Sequence, residues 1–245
     1  MIEKVIDLLR GILSLTNPKR WGPFIEAFRI TDFDHAFSIS WSQGGEDLAL
    51  LQVFEGITNG SYIDVGAHNP SRFSVTRHLY QRGWSGVNIE ANEELMQAFK
   101  IKRPRDINIC SAVGTKTSYS FSVFEEAALS TIDQEWEARY LVENQKIRSR
   151  RIVPGISLRR VLETYFTERK CNLLNIDAEG SDNEVIDSIE FGNINEKYHP
   201  EWILIETNPP VNNVLNTQGI QKLIKEKYEP YLILTMSTLL RKNYE

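Results

Sequence analysis

Six short apolar runs, at residues 62–67, 86–91, 107–113, 172–177, 202–206 and 231–234, punctuate this chain, most of them separated by stretches with helical patterning such as 72–81 and 92–100. Apolar runs this short and this continuous mark strands buried on both faces, and strand-helix-strand repetition implies a parallel sheet joined by crossover helices. Such crossovers are right-handed, and ligands bind beyond the carboxyl ends of the strands, near the point where strand order reverses. A last strand-like pair, 231–235 and 238–240, reads as an antiparallel hairpin closing one sheet edge. The expected fold is α/β and Rossmann-like: a mostly parallel seven-stranded sheet with helices on both faces.

The main domain is expected over residues 40–245, preceded by an N-terminal helix and a linker or cap in 1–39. Ser42 reads as the cap of the first domain helix, with Glu46 and Asp47 in its first turn. An insert at about 118–154 breaks the alternation. Tyr119, Phe121 and Val123 in it suggest an antiparallel strand, and 135–146 a polar segment of the kind that carries substrate contacts. Its densest basic run, Lys146, Arg148, Arg150 and Arg151, reads as a solvated loop face.

The N-terminal apolar residues are interleaved with charges, which gives an amphipathic helix rather than a signal peptide or a membrane span. Residues 1–15 could then lie on a membrane surface, pack on the domain, or pair with a second copy in a homo-oligomer. With 245 residues, 41% of them hydrophobic and 25% charged, the chain needs neither disulfides nor a structural metal to hold a core. Cys110 and Cys171 sit inside apolar runs, as reduced thiols of a cytoplasmic protein do. The net charge of −5 disfavours a nucleic acid partner.

Chemistry concentrates at the strand tips. The first strand runs into Asp64-Val65-Gly66-Ala67-His68-Asn69-Pro70, the strand-turn-helix setting of a nucleotide-type cofactor site. Gly66 permits close backbone approach, Asp64 can take an ammonium group directly or through water, and a following helix that starts at Pro70 can offer N–H groups to a carboxylate. Glu90, about 26 positions after Asp64, stands at the tip of the second strand, where an acid meets ribose hydroxyls. Ser111 and Ala112, at the third tip, fit the flank of an adenine ring. Gln43, Ala67, His68, Ser74, Ala91, Asn92 and Asp177 complete the expected cofactor shell.

The turn has one glycine where a dinucleotide fingerprint wants three, which disfavours an NAD-type oxidoreductase. Asn208-Pro209-Pro210 is followed by Val211 where a base-flipping methyltransferase has an aromatic residue, so it reads as a proline loop. The fourth strand ends in Asp177-Ala178-Glu179-Gly180-Ser181-Asp182. Asp182 is expected to start the next helix, whereas Asp177 and Glu179, costly at a strand tip unless partnered, suggest a base, a cation site or bonds to substrate hydroxyls. Glu206, ending the fifth strand, converges on the same crevice.

The ordered set of Ser42-Gln43 with Glu46-Asp47, Tyr62-Ile63-Asp64-Val65-Gly66-Ala67, Gly83-Trp84 leading to Asn88-Ile89-Glu90, 103–108, Leu129-Ser130-Thr131-Ile132-Asp133 and Ile176-Asp177-Ala178-Glu179-Gly180 resembles the FkbM-type methyltransferases. The resemblance spans about residues 40–209. It implies a class I methyltransferase fold, S-adenosylmethionine as donor, and O-methylation, often of sugars in cell-surface polysaccharides or of natural products. Family members commonly have Asn at His68, Gly at Pro70 and Lys at Asn175; the last difference removes a cation beside Asp177. Asp177 is then the first candidate for the base or its orienter, with Glu179, Glu206 and His68 as further catalytic candidates. Asp177, Glu179 and Glu206 could alternatively hold Mg²⁺ to acidify the acceptor. A scaffold protein that keeps the cofactor fold without catalysis is the alternative reading.

Overall fold

The computed structural model describes residues 39–207 and 211–244. The N-terminal helix and linker expected before residue 39 and the Asn208-Pro209-Pro210 loop lie outside the described residues. In chain order the elements are α1 (Glu46–Val53), β1 (Ser61–Val65), α2 (Arg77–Gln81), β2 (Ser85–Glu90), α3 (Glu93–Lys102), β3 (Ile107–Cys110), β4 (Ala112–Val113) and β5 (Ser118–Phe124). There follow α4 (Gln134–Val142), β6 (Ile147–Ile156), α5 (Leu158–Tyr165), β7 (Leu173–Ile176), α6 (Asp182–Asp187), β8 (Trp202–Glu206), α7 (Gln218–Lys225), β9 (Tyr228–Ile233) and β10 (Ser237–Lys242).

Seven strands form one sheet in the order β3-β2-β1-β7-β8-β10-β9. Pairing is parallel from β3 to β8, and β10 runs antiparallel between β8 and β9. The C-terminal hairpin therefore closes the sheet edge, and β1 and β7 flank the point where strand order reverses. This is the class I methyltransferase fold.

Strand residues alternate between two cores. Ile63, Leu174, Ile203 and Ile205 pack with Val161 and Leu162 of α5, Val185 of α6 and Ile220 and Leu223 of α7 on one face. On the other, Tyr62, Leu173, Leu204 and Leu239 pack with Leu50 of α1, Leu79 of α2 and Trp84. Because both faces are covered, most neighbouring residues in a strand are apolar, with Asp64, Asn88 and Asn175 as buried exceptions, and that is why the runs were legible.

Three expectations are corrected. The apolar run 107–113 is not one strand: it breaks at Ser111, whose hydroxyl donates to the Pro154 carbonyl at 2.9 Å, and β4 joins a small second sheet, β4-β6-β5. The helix expected over 72–81 begins only at Arg77, so Pro70 starts no helix and 67–76 is a loop. The first helix is capped by Gly45, while the Ser42 hydroxyl donates to Asp47 Oδ1 at 2.9 Å instead.

The insert is structured throughout. β5 pairs antiparallel with β6, and Arg148, Arg150 and Arg151 of the basic run lie on that strand rather than on a loop, with Lys146 just before it. Arg148 bonds Glu94 through both terminal nitrogens and ties the insert to α3, while Arg150 bonds Glu137 at 2.6 Å and ties β6 to α4 within the insert. The segment 135–146, expected to be polar, is largely α4, which turns Tyr140 inward. Asp133 caps it, accepting from the Glu135 and Trp136 amides.

Candidate active site

A cleft lies over the carboxyl ends of β1, β2 and β7, lined along its floor by Gly66, Glu90, Ala91, Ser111, Ala112 and Asp177. Its roof comes from the insert, with Phe121, Ala127, Ala128, Ser130, Thr131 and Ile132. Beside it is a chamber of about 420 Å³, lined in part by Glu46, Arg72, Trp136, Arg139, Tyr140, Glu206 and Met236. Gln43, Phe73, Ala128, Asp177 and Glu179 line both spaces and so form the wall between them.

Gly66 has φ of +70°, and a Cβ on it would overlap the Asp177 carbonyl oxygen. The tips of β1 and β7 close on each other to a degree that only glycine allows. The Asp177 amide in turn donates to the Val65 carbonyl at 3.2 Å. Three non-glycine residues in the left-handed region, His68, Phe73 and Glu179, line the cleft, as backbone strain at ligand sites tends to do.

Glu90 is buried at the β2 tip, where Oε1 accepts from the Asn92 amide at 2.6 Å and Oε2 from the His68 amide at 3.0 Å. Burial outweighs these bonds and pushes its carboxyl up to about 7. Glu179 reaches about 7 for the same reason, offset by the hydrogen bond it accepts from the Tyr140 hydroxyl and raised further by Asp182. Its backbone is pinned as well: Thr131 Oγ1 donates to the Glu179 carbonyl at 2.8 Å, and the Trp136 ring occupies the space over Gly180 where a Cβ would stand. Asp177 is raised well above the ordinary carboxylate range by burial, then by Glu206 and Glu179.

Gln43, Gly66, His68, Glu90, Ala91, Ser111, Ala112 and Asp177, all named from sequence, line the cleft. Asp64, Ala67, Ser74 and Asn92 do not. Asp64 is 2% exposed, its Oδ2 accepting from Thr76 Oγ1 at 2.6 Å and its Oδ1 from Asn175 Nδ2 at 2.9 Å. Asn175 thus serves Asp64, not Asp177. Ser74 accepts from Arg103 at 2.8 Å, Asn92 caps α3, and Ala67 packs with Met96 and Phe99.

Asp177 and Glu179 face both spaces, whereas His68 lines only the cleft and Glu206 only the chamber. Burial and nearby Arg72 hold the His68 ring below its ordinary range, so it is neutral. Among the described residues no group of three or more His, Cys, Asp or Glu is arranged to hold a metal ion, so the alternative of a cation held by Asp177, Glu179 and Glu206 has no preformed cage. Asp182 is the first residue of α6, as expected, and its Oδ1 accepts from the Ala178 amide at 3.1 Å.

Sequence reasoning missed the roof and the buried arginine that supports the floor. The segment 129–133 and Arg103 both stood in the resemblance, which gave them order but no role. Arg103, 1% exposed, donates to Tyr62, Thr76, Ser74 and the Pro70 carbonyl, and lies 3.8 Å from Asp106. It therefore holds the loop 67–76 against β1 from a segment more than 25 residues away in sequence.

Among the described residues no helix is long and apolar enough to cross a membrane. No curated protein sequence matches the chain significantly. Among solved structures, a putative methyltransferase, yhhF, from Escherichia coli aligns at 11% identity over 86% of this chain and 92% of that one, with a TM-score of 0.45. A TehB-like SAM-dependent methyltransferase from Corynebacterium glutamicum aligns at 8% identity over 93% and 100%, with a TM-score of 0.40. An O-methyltransferase from Bacillus cereus, in complex with SAH, aligns at 13% identity over 99% and 100%, with a TM-score of 0.38. The family model of the methyltransferase FkbM domain matches residues 64–226, from Asp64 at the β1 tip to Glu226 just past α7. The chain belongs to the FkbM methyltransferase family.

Proposed function

We propose that this chain transfers a methyl group from S-adenosylmethionine to a sugar hydroxyl in a cell-surface polysaccharide or glycoconjugate precursor. The observation that carries the reading is the position of Asp177 and Glu179, which face both the cleft and the chamber. Two carboxyls on the wall between a donor space and an acceptor space are placed to act where the two ligands meet.

The lining of the cleft suits the donor's chemistry. Each Glu90 oxygen accepts one backbone N–H and retains a lone pair, which leaves two acceptors for a pair of ribose hydroxyls. Ala112, Val113, Phe121 and Ile132 supply apolar walls for adenine. Asp64 acts from beneath, through the loop that Thr76 anchors to it. When bound, S-adenosylmethionine supplies an electrophilic methyl group on a sulfonium.

Glu179 is the base. Its carboxyl, held at about 7, is near the operating pH, where proton acceptance is most effective. It takes the proton of the acceptor hydroxyl as the oxygen gains the methyl group. Asp177, its carboxyl raised by burial and by Glu206 and Glu179, faces the same junction and orients the acceptor. The chamber suits a sugar: its volume of about 420 Å³ falls within the range of small-molecule sites, roughly 300–1,000 Å³. Phe73, Trp136 and Tyr140 offer faces for stacking while Gln43, Arg72 and Glu206 offer polar contacts.

Calorimetric titration with S-adenosylmethionine and S-adenosylhomocysteine tests the donor site. Micromolar binding is expected for the wild type and loss of it for Glu90→Ala. A folded wild type that binds neither compound overturns the reading.

A further inference from the structure

Among the described residues one side chain, Tyr140 of α4, donates to the Glu179 carboxyl, and it does so to Oε2. The other oxygen, Oε1, meets no donor among them and keeps accessible surface, in a residue that lines both the cleft and the acceptor chamber.

Tyr140 is itself fixed. It is 6% exposed, and its ring stands edge-on to Phe124 at 5.6 Å and to Trp136 at 5.5 Å, so the hydroxyl is held in place. Burial and the bond to Glu179 keep that hydroxyl above its ordinary range, hence protonated and donating. The phenol therefore takes no proton from an acceptor and acts instead through the carboxyl beside it.

Resting on the methyl-transfer reading above, we propose that Tyr140 is a positioning residue for the reaction: its hydroxyl pins one oxygen of Glu179 and presents the other, Oε1, to the acceptor hydroxyl. The last torsion of a glutamate is soft, so an unheld carboxyl would turn either oxygen, or neither, toward the acceptor. A donor also favours the ionised form, the one that can take a proton. Burial lifts the Glu179 carboxyl, the Tyr140 bond draws it back, and Asp182 lifts it again. The other charged groups around the pair do not replace that bond. Asp177 and Glu206 are themselves acids, and Arg139 of α4 pairs with Glu143 at 3.1 Å.

Tyr140→Phe removes the hydroxyl and keeps the ring with its packing. An array of bacterial mono- and oligosaccharides, incubated with the enzyme and tritiated S-adenosylmethionine, identifies an acceptor for steady-state kinetics. The variant is expected to lower kcat about fivefold or more at pH 7, to move the acid limb of the pH–rate profile up by about one pH unit, and to recover most of the loss at pH 9. KM for the acceptor and calorimetric affinity for the donor should stay near wild type. In a Glu179→Gln background the same substitution should cost nothing further, because its effect runs through the carboxyl. An unchanged rate, a loss of equal size at every pH, or a loss that persists in Glu179→Gln overturns the role. If calorimetry shows donor binding but no sugar is labelled, the sugar reading itself fails and the role of Tyr140 with it.

Discussion

Two groups of buried acids lie in this domain, and they are solvated in opposite ways. Around Arg103, the carboxylates of Asp106 and Asp64 are met by donors from the chain itself. Asp106 accepts from Tyr62 at 2.6 Å, Asn88 at 2.9 Å and the Gly86 amide at 2.9 Å. Asp64 accepts from Thr76 and Asn175. Burial raises Asp64 as it raises Asp177, Glu179 and Asp182, but at the tips of β7 and β8 the neighbours are carboxyls: Glu206 and Glu179 push Asp177 up further, and Asp182 does the same to Glu179. Burial alone does not mark a functional acid. The difference lies in the company each acid keeps: donors and a cation around Arg103, other carboxyls at the tips of β7 and β8.

The comparison can be broken at either end. The largest effect is expected from Glu179→Gln, which should lower the methyl-transfer rate by about 100- to 10,000-fold while leaving the melting temperature and cofactor affinity near wild type. Steady-state kinetics beside calorimetry checks this, and a matching loss of affinity would move Glu179 into the cofactor site.

Next in size, Arg103→Met should cost about 3–5 kcal/mol of stability, because it leaves buried acids without their cation. Urea unfolding measures it; a cost under about 1 kcal/mol would show that the hydrogen bonds around Asp106 suffice alone.

The smallest effect is on pH dependence. Glu90 and Glu179, at about 7, and Asp182, at about 6, titrate above the ordinary carboxylate range when folded. Between about pH 4.5 and 7 the folded protein therefore holds protons that the unfolded chain has released. Stability is greatest below that window and falls as pH rises through it, by at most roughly 1.4 kcal/mol per pH unit per group. Melting curves of the ligand-free protein should show a steady fall from pH 5 to 8, with a shallower slope in Glu90→Gln. A flat profile would mean that the hydrogen bonds these acids accept offset their burial and keep them in the ordinary carboxylate range.

The sheet was legible because each of its central strands is buried on both faces, which leaves a run of Val, Ile and Leu that no local turn can imitate. The floor of the site followed, since acids at the ends of such runs stand at the carboxyl edge. What could not be read depends on distant segments meeting. The loop 67–76 carries spacing that mimics a helix, yet its shape is set by Arg103, beyond β2 and α3. Asp64 lies at the expected strand tip, but only the arrangement of Thr76 and Asn175 shows that it faces inward. The roof over the cleft exists because β5 and β6 fold 127–132 back over β1 and β2, and no local pattern in that segment announces it.

The left-handed backbone at Glu179 has a consequence for how this protein can change. Thr131, Trp136 and Tyr140, all from the insert, fix the carbonyl, the turn and the carboxyl of that one residue. On the function proposed above, the segment that encloses the acceptor is thus also the segment that tunes the base. A transplanted insert would then bring its own reactivity along with its own selectivity, and a chimera made to take a new acceptor would inherit a shifted working pH in the same exchange.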